Sequence, residues 1–221
     1  MSDIPTPETE NSSLPLADQA RVDAILAFWF REHAMTAPQI DRRMDIWFGE
    51  DEVFDLECKK EFSSDIEMAS AGDLNHWAAD PRGRLALILL LDQFRRNIYR
   101  STADAFAMDR AALRLCVEGA RDKKDKGLTP IEQAFFYMPL QHAESLKAQN
   151  MAVEIYNRLA GAVSPTYRET FETMATFAEL HRDIIEQFGR FPHRNQLLGR
   201  ENTPEEDEYL ASDSPDFGQG G

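Results

Sequence analysis

Three groups of polar residues sit among apolar neighbours, and each holds side chains that can do chemistry. Asp92, Arg95, Arg96 and Tyr99 recur at i, i+3, i+4 and i+7, the spacing of one helix face. Gln93, Asn97 and Arg100 continue the polar stretch. Two readings stay open. Asp92 and Arg96 can pair and tie down neighbouring loops, or the arginines can wall a site for a carboxylate or phosphate, which the rigid guanidinium fork fits. Either way the charges need partners, because a charge buried alone is costly.

The second group is residues 139–149 (PLQHAESLKAQ). On a helix His142, Ser145 and Gln149 share one face, and Glu144 is turned away from His142. Two metal ligands on one helix normally stand at i and i+4, so no metal is expected. A general base at His142 needs a carboxylate to orient its imidazole, and Glu144 or Asp92 can serve only through tertiary contact. The third group is residues 188–200 (FGRFPHRNQLLGR), where Arg190, His193, Arg194 and Asn195 alternate with Phe188, Phe191, Leu197 and Leu198. Gly189 ends a helical pattern and Pro192 opens the next turn; a helix starting there would aim amide groups at an anion.

Complete catalytic signatures are missing. There is no Walker loop, no G-x-G-x-x-G, no G-x-S-x-G elbow and no Cys–His ligand pair, so no cofactor is expected. His181 falls within an apolar stripe and reads as a core histidine. Trp29, Trp47 and Trp77 read as core or core rim. Asp104 and Asp109, near Arg100 and Arg110, read as helix caps and surface pairs.

The elements that must position these groups are helices. Asp80-Pro81, Thr129-Pro130, Ser164-Pro165 and Thr203-Pro204 each write an N-cap followed by proline at the first helical position. Thr129 with Glu132 and Thr203 with Glu206 are full capping boxes. Gly72, Gly127, Gly161 and Gly189 suit the left-handed position just past a helix end. Between these marks the apolar period is near 3.6: Val22, Ile25, Leu26, Trp29 and Phe30; Val53, Phe54, Phe62, Ile66 and Ala69; Leu113, Cys116, Val117 and Ala120; Ile131, Phe135 and Met138. The longest stripe runs from Tyr167 through Phe171, Met174, Ala178, His181 and Ile185 to Phe188. Residues 85–91 are apolar all round, which predicts a buried central helix over 81–98. No strand or hairpin pattern competes. The expectation is an all-α fold of about eight to ten helices over residues 17–211, forming one domain. The tails 1–16 and 212–221, rich in Pro, Ser, Thr, Gly and acids, are expected to be disordered.

Charge narrows the partners. The net charge is -15, but eleven of the 39 acids lie in residues 1–18 and 201–221, where there is no Lys or Arg. The body between is only about -4. Without a broad basic stripe, no nucleic-acid partner is expected. The longest apolar run, 85–91, is far short of the roughly 20 residues that span a membrane. With no secretory leader pattern and with Cys58 and Cys116 in helical stripes rather than a CxxC, the expected location is the cytoplasm. Oligomeric state is not legible.

Several phrases occur together and in order: residues 25–30 (ILAFWF), Trp47-Phe48-Gly49, Leu91 to Phe94 with Arg96-Asn97, residues 105–109 (AFAMD), residues 135–140 (FFYMPL) with His142 and Glu144, and residues 188–200. Over about residues 22–210 the chain resembles the bacterial family catalogued as domain of unknown function 924. The resemblance implies a tetratricopeptide-like array of helices and no established activity. By position it carries over Asp92, Gln93, Arg96, Asn97, Arg100, His142, Glu144, Arg190, His193, Arg194 and Asn195 as candidate ligand-binding residues. Arg95 replaces the family's usual proline or serine and is placed at the periphery. Ser101 stands where a glycine commonly follows the arginine. Two functions follow as expectations. The first is a helical binding protein with an arginine- and histidine-lined pocket for a small anion or acidic peptide. The second is a hydrolase-like enzyme with His142 or His193 as general base and an arginine stabilising an oxyanion.

Overall fold

In the computed structural model, which describes residues 14–212, every regular element is helical. In order these are α1 (Leu16–Phe30), α2 (Ala37–Phe48), α3 (Glu52–Ala71), α4 (Pro81–Ile88), a π-helical stretch (Leu89–Phe94), α5 (Arg95–Ile98), α6 (Asp109–Arg121), α7 (Pro130–Gln141), α8 (Leu146–Ala162), α9 (Pro165–Phe188) and α10 (Pro204–Ala211). Short 3-10 turns lie at Asn75–Ala79, Ala103–Phe106 and Pro192–Arg194. The expected tails lie largely outside the described residues.

Helices begin where the caps are written. Asp80, Thr129 and Thr203 each accept backbone amide hydrogen bonds at the first turn of α4, α7 and α10. Ser164 precedes α9 without a side-chain cap. Two further caps form: Thr36 with Gln39 makes a capping box on α2, and Asp51 caps α3. Gly72, Gly127 and Gly189 take positive φ, but Gly161 lies inside α8 and ends nothing. Ser101 adopts φ 57°, the left-handed conformation that explains a glycine preference there.

One continuous core runs from α1 through α9, with Trp29, Trp77, Phe94, Phe135 and Phe136 fully buried. The central rod does sit inside it: residues 85–90 are buried on every side. It is not a plain α-helix, however. Over Leu89–Phe94 it widens into π-helix, a distortion that shifts the register of everything after it. Two stripe assignments also fail. Val53 and Val117 are exposed, because the buried faces of α3 and α6 run through Phe54, Cys58 and Phe62, and through Ala112, Leu115 and Cys116. Both cysteines are buried and free, and burial pushes their thiols up.

Three local arrangements frame the site. Arg43 and Trp47 of α2 donate to the carbonyl of Trp29 at 2.8 and 3.1 Å, satisfying the end of α1 and fixing α2 beside the core. His142, Ser145 and Gln149 do not share a helix face, since α7 stops at Gln141 and α8 starts at Leu146. Instead the buried amide of Gln149 donates to the carbonyls of Gln141 and Ala143 at 2.6 and 2.9 Å and clamps the turn that carries His142. At the carboxyl end a small second cluster, Ile184, Ile185 and Phe191 with Phe188 and Tyr209 against it, docks the segment after α9.

Candidate functional site

A cavity of about 150 Å³ opens between α2, the π–α5 rod, the α7–α8 turn, α9 and the Pro192–Arg194 turn. Its walls differ in character. The rod supplies Gln93, Arg96, Asn97 and Arg100, the α7–α8 turn supplies His142, and the 3-10 turn supplies His193 and Arg194. The rest of the lining is largely apolar: Met44, Trp47 and Phe48 of α2, Met138 of α7, and Met174 and Phe177 of α9. Phe48 and Phe177, 44% and 47% exposed, are the solvent-facing members of this part.

Behind the polar wall lies Asp92, 0% exposed. Its Oδ1 accepts from Nη1 of Arg96 at 3.0 Å and from Nδ1 of His142 at 2.7 Å, and Oδ2 accepts from Gln93 at 2.6 Å. Burial would raise this carboxyl, but Arg96 and then His142 outweigh it and hold it below the usual carboxylate range. An ionised Asp92 requires Nδ1 of His142 to carry its proton, so Nε2 is left as an acceptor in the neutral ring. The ring is neutral because burial, reinforced by Arg96, lowers its pKa more than Asp92 raises it.

Asp109 completes the cluster. It accepts from Nη2 of Arg96 at 3.0 Å and from Nη1 of Arg194 at 3.2 Å. Arg194 also donates to the carbonyl of His142 at 3.1 Å, which joins the 3-10 turn to the α7–α8 turn. Next to it Asp55 of α3 accepts from Asn97 at 2.7 Å and from Arg100 at 3.0 Å. The three guanidinium groups of the wall are thus matched by three carboxylates. Burial, followed by His142 for His181 and Arg194 for His193, holds both of these imidazoles down to about 3.

Of the residues singled out in the sequence, the fold brings seven to the cavity and puts Asp92 directly behind them. Glu144, Arg190 and Asn195 do not line it. They form an adjoining latch: Arg190 donates to Glu206 at 2.7 and 2.6 Å, Asn195 donates to Glu206 at 3.2 Å, and Glu144 accepts from Arg200 and from the Phe191 amide. Arg95 is outside as well, bonded to the Asp104 carbonyl and lying over Tyr99. The 3-10 turn after Pro192 is three residues long, so no helix N-terminus faces the cavity.

Sequence reasoning missed Asp109, taken there for a cap or surface pair, and the methionine and phenylalanine wall. It placed His181 in the core, where it is buried, but not beside the cavity that it also lines. Asp109 did carry a signal, as the last residue of the 105–109 phrase, and so did Phe48 and Met138 within the 47–49 and 135–140 phrases; Met44, Met174 and Phe177 carried none, since such residues read as ordinary core.

These features define an all-α protein with a cavity of mixed polar and apolar lining over a buried Asp–His–Arg cluster. The chain belongs to the family described as "Bacterial protein of unknown function (DUF924)", which it matches over residues 25–214. It is similar to a solved protein of unknown function, ATU0120 from Agrobacterium tumefaciens, with 36% identity and a TM-score of 0.71, covering 87% of this chain and 97% of that one. No curated protein matches the chain. Among the described residues no helix is long and apolar enough to cross a membrane.

Proposed function

We propose that this chain is a cytoplasmic small-molecule-binding protein, with a tetratricopeptide-like helical scaffold enclosing one ligand pocket. The observation that carries this reading is the mixed lining of the cavity. Arg96, Asn97, His142 and Arg194 offer donors and an acceptor, and Met44, Trp47, Met138 and Phe177 offer apolar, adaptable surface. An amphipathic ligand fits that division, with its acidic or polar end toward the arginines. The size favours a small molecule over an acidic peptide, because a cavity near 150 Å³ holds about one aromatic ring.

Thermal shift against a metabolite panel tests the reading. A ligand at 100 times its dissociation constant stabilises by about 2.7 kcal/mol. Phe177→Glu, which changes an exposed residue of the apolar wall and leaves the core alone, should abolish that shift. If no compound stabilises the protein, or if Phe177→Glu responds like the parent, the pocket is not a ligand site.

A second reading is supported by the 2.7 Å Asp92–His142 bond. A carboxylate that fixes Nδ1–H and leaves Nε2 with a lone pair is the arrangement of a general base. Among the described residues no Ser, Cys or Lys lines the cavity, so water would be the nucleophile. His142 would take its proton and return it to the leaving group. Hydrolysis of p-nitrophenyl acetate at a rate lost in His142→Gln supports this reading, and equal rates in the two proteins remove it.

A further inference from the structure

The guanidinium of Arg194 is held between two rings, 4.3 Å from the centroid of Phe191 and 4.6 Å from that of Phe106. This sandwich fixes its position and leaves its edges for hydrogen bonding. One edge is committed. Both hydrogens of Nη1 are used, by Asp109 and by the carbonyl of His142. The opposite edge, Nε with Nη2, bonds to none of the described residues, and Nε is fully buried. The residue is 5% exposed and lines the cavity. A buried donor without an acceptor bears its whole desolvation penalty, so this edge is an unmet donor of the cluster, in which Oδ1 of Asp109 also accepts no hydrogen bond.

The chemistry of the missing acceptor follows from three constraints. The Nε–Nη2 edge presents two parallel N–H groups, which match two oxygens on one carbon. The charges of Arg96 and Arg194 are already met by Asp92 and Asp109, so a group with one negative charge suits the site better than a phosphate dianion. The apolar part of the lining, Met44, Met138, Met174 and Trp47, takes an apolar body, and the volume takes one about the size of a benzene ring. We infer that the pocket binds a small monocarboxylic acid with a ring-sized apolar body, its carboxylate docked on the Nε–Nη2 edge of Arg194. This rests on the ligand-pocket reading given above and specifies its ligand class and its anchoring residue. Burial lowers the Arg194 guanidinium to about 10 in spite of Asp109, and an added carboxylate relieves that cost.

The probes are benzoate and benzamide, isosteres that differ in the charged second oxygen, titrated into the intact protein to millimolar concentration. The Arg194 Nε–H resonance and the melting temperature report binding. The expected result is that benzoate shifts both and benzamide neither, and that Arg194→Lys, which keeps the charge and loses the fork, weakens benzoate about tenfold or more. The ligand comparison uses the parent protein, so it stands even if the variant folds poorly. If benzamide binds as well as benzoate, or if benzoate binds without moving the Arg194 resonance, the carboxylate anchor is wrong and the pocket reading survives. If neither compound binds, the monocarboxylate class is wrong, and the pocket reading is decided by the metabolite panel.

Discussion

Nδ1 of His142 lies 2.7 Å from Oδ1 of Asp92, across 50 residues of chain and between two different structural elements. The bond unites the widened part of the central rod with the turn after α7. Asp92 is also the i−4 partner of Arg96, so one buried carboxylate holds a cation, an imidazole and the Gln93 amide at once. Arg96 in turn shares Asp109 with Arg194. The polar wall is therefore a single cross-linked unit.

Asp92→Asn should be strongly destabilising. The variant keeps an amide oxygen for His142 but removes the charge, and leaves Arg96 buried with Asp109 as its remaining charged partner among the described residues. Breaking a buried pair from one side costs about 3–5 kcal/mol. Urea unfolding at neutral pH checks this, and a loss below about 1 kcal/mol would mean that solvent or rearrangement compensates the cluster.

Stability should fall with acid in a defined window. In the folded chain burial, with His142 and Arg194 respectively, holds His181 and His193 to about 3. Their unfolded value is about 6.5. Between the two, the unfolded chain binds protons that the folded chain does not, so stability rises with pH across this range and is lost as pH drops through it. The slope is about 1.4 kcal/mol per pH unit for each histidine, vanishing above about pH 6.5. Asp92 and Glu206, whose carboxyls are held low, add a further loss at the acid end. Urea midpoints measured across this range give the profile. A flat one would show that the imidazoles are solvated.

Gly119→Ala should destabilise, although alanine is the better helix former. A Cβ there would lie 2.4 Å from Cδ of Arg84 and 2.7 Å from Cζ of Phe136. Neither can move easily. Arg84 is pinned by hydrogen bonds to the carbonyls of Ala78 and Leu115, and the Phe136 ring is fully buried. Overpacking of about 1–3 kcal/mol exceeds the gain of about 1 kcal/mol in helix propensity. A lower melting temperature than the parent is expected, and a higher one would show that the α4–α6 contact can open.

Glu206→Gln should loosen the latch while sparing the core. The residue accepts from Arg190, from Asn195 and from the Thr203 amide, and α10 otherwise holds on through Tyr209 against Phe188. Hydrogen exchange should accelerate over residues 189–203, including the turn that presents Arg194, with α8 and α9 unchanged. Uniform acceleration would instead make α10 part of the global folding unit.

The helical fold was legible because its signals are local. Caps at Asp80, Thr129 and Thr203 act within four residues, and a 3.6-residue period needs only one face to be buried. The polar clusters were also visible as cations in apolar context, and seven of those residues meet at one cavity. What escaped was everything set by distant contact. Asp109 looks like a surface acid until Arg96 and Arg194 converge on it. The face expected of His142, Ser145 and Gln149 dissolved because Gln149 turns back onto the α7–α8 turn.

The sequence by itself determined the all-α class, the starts of α4, α7, α9 and α10, the buried central rod and the short list of polar residues worth watching. Those follow from hydrogen bonds and side-chain periods that close within a few residues. The tertiary structure alone decided which of them share a site. It separated Arg194 from Arg190, four residues apart, into a cavity wall and a latch, and it gave Asp92 to His142. Such choices depend on which charges are driven out of water together, and that is settled only when the helices pack.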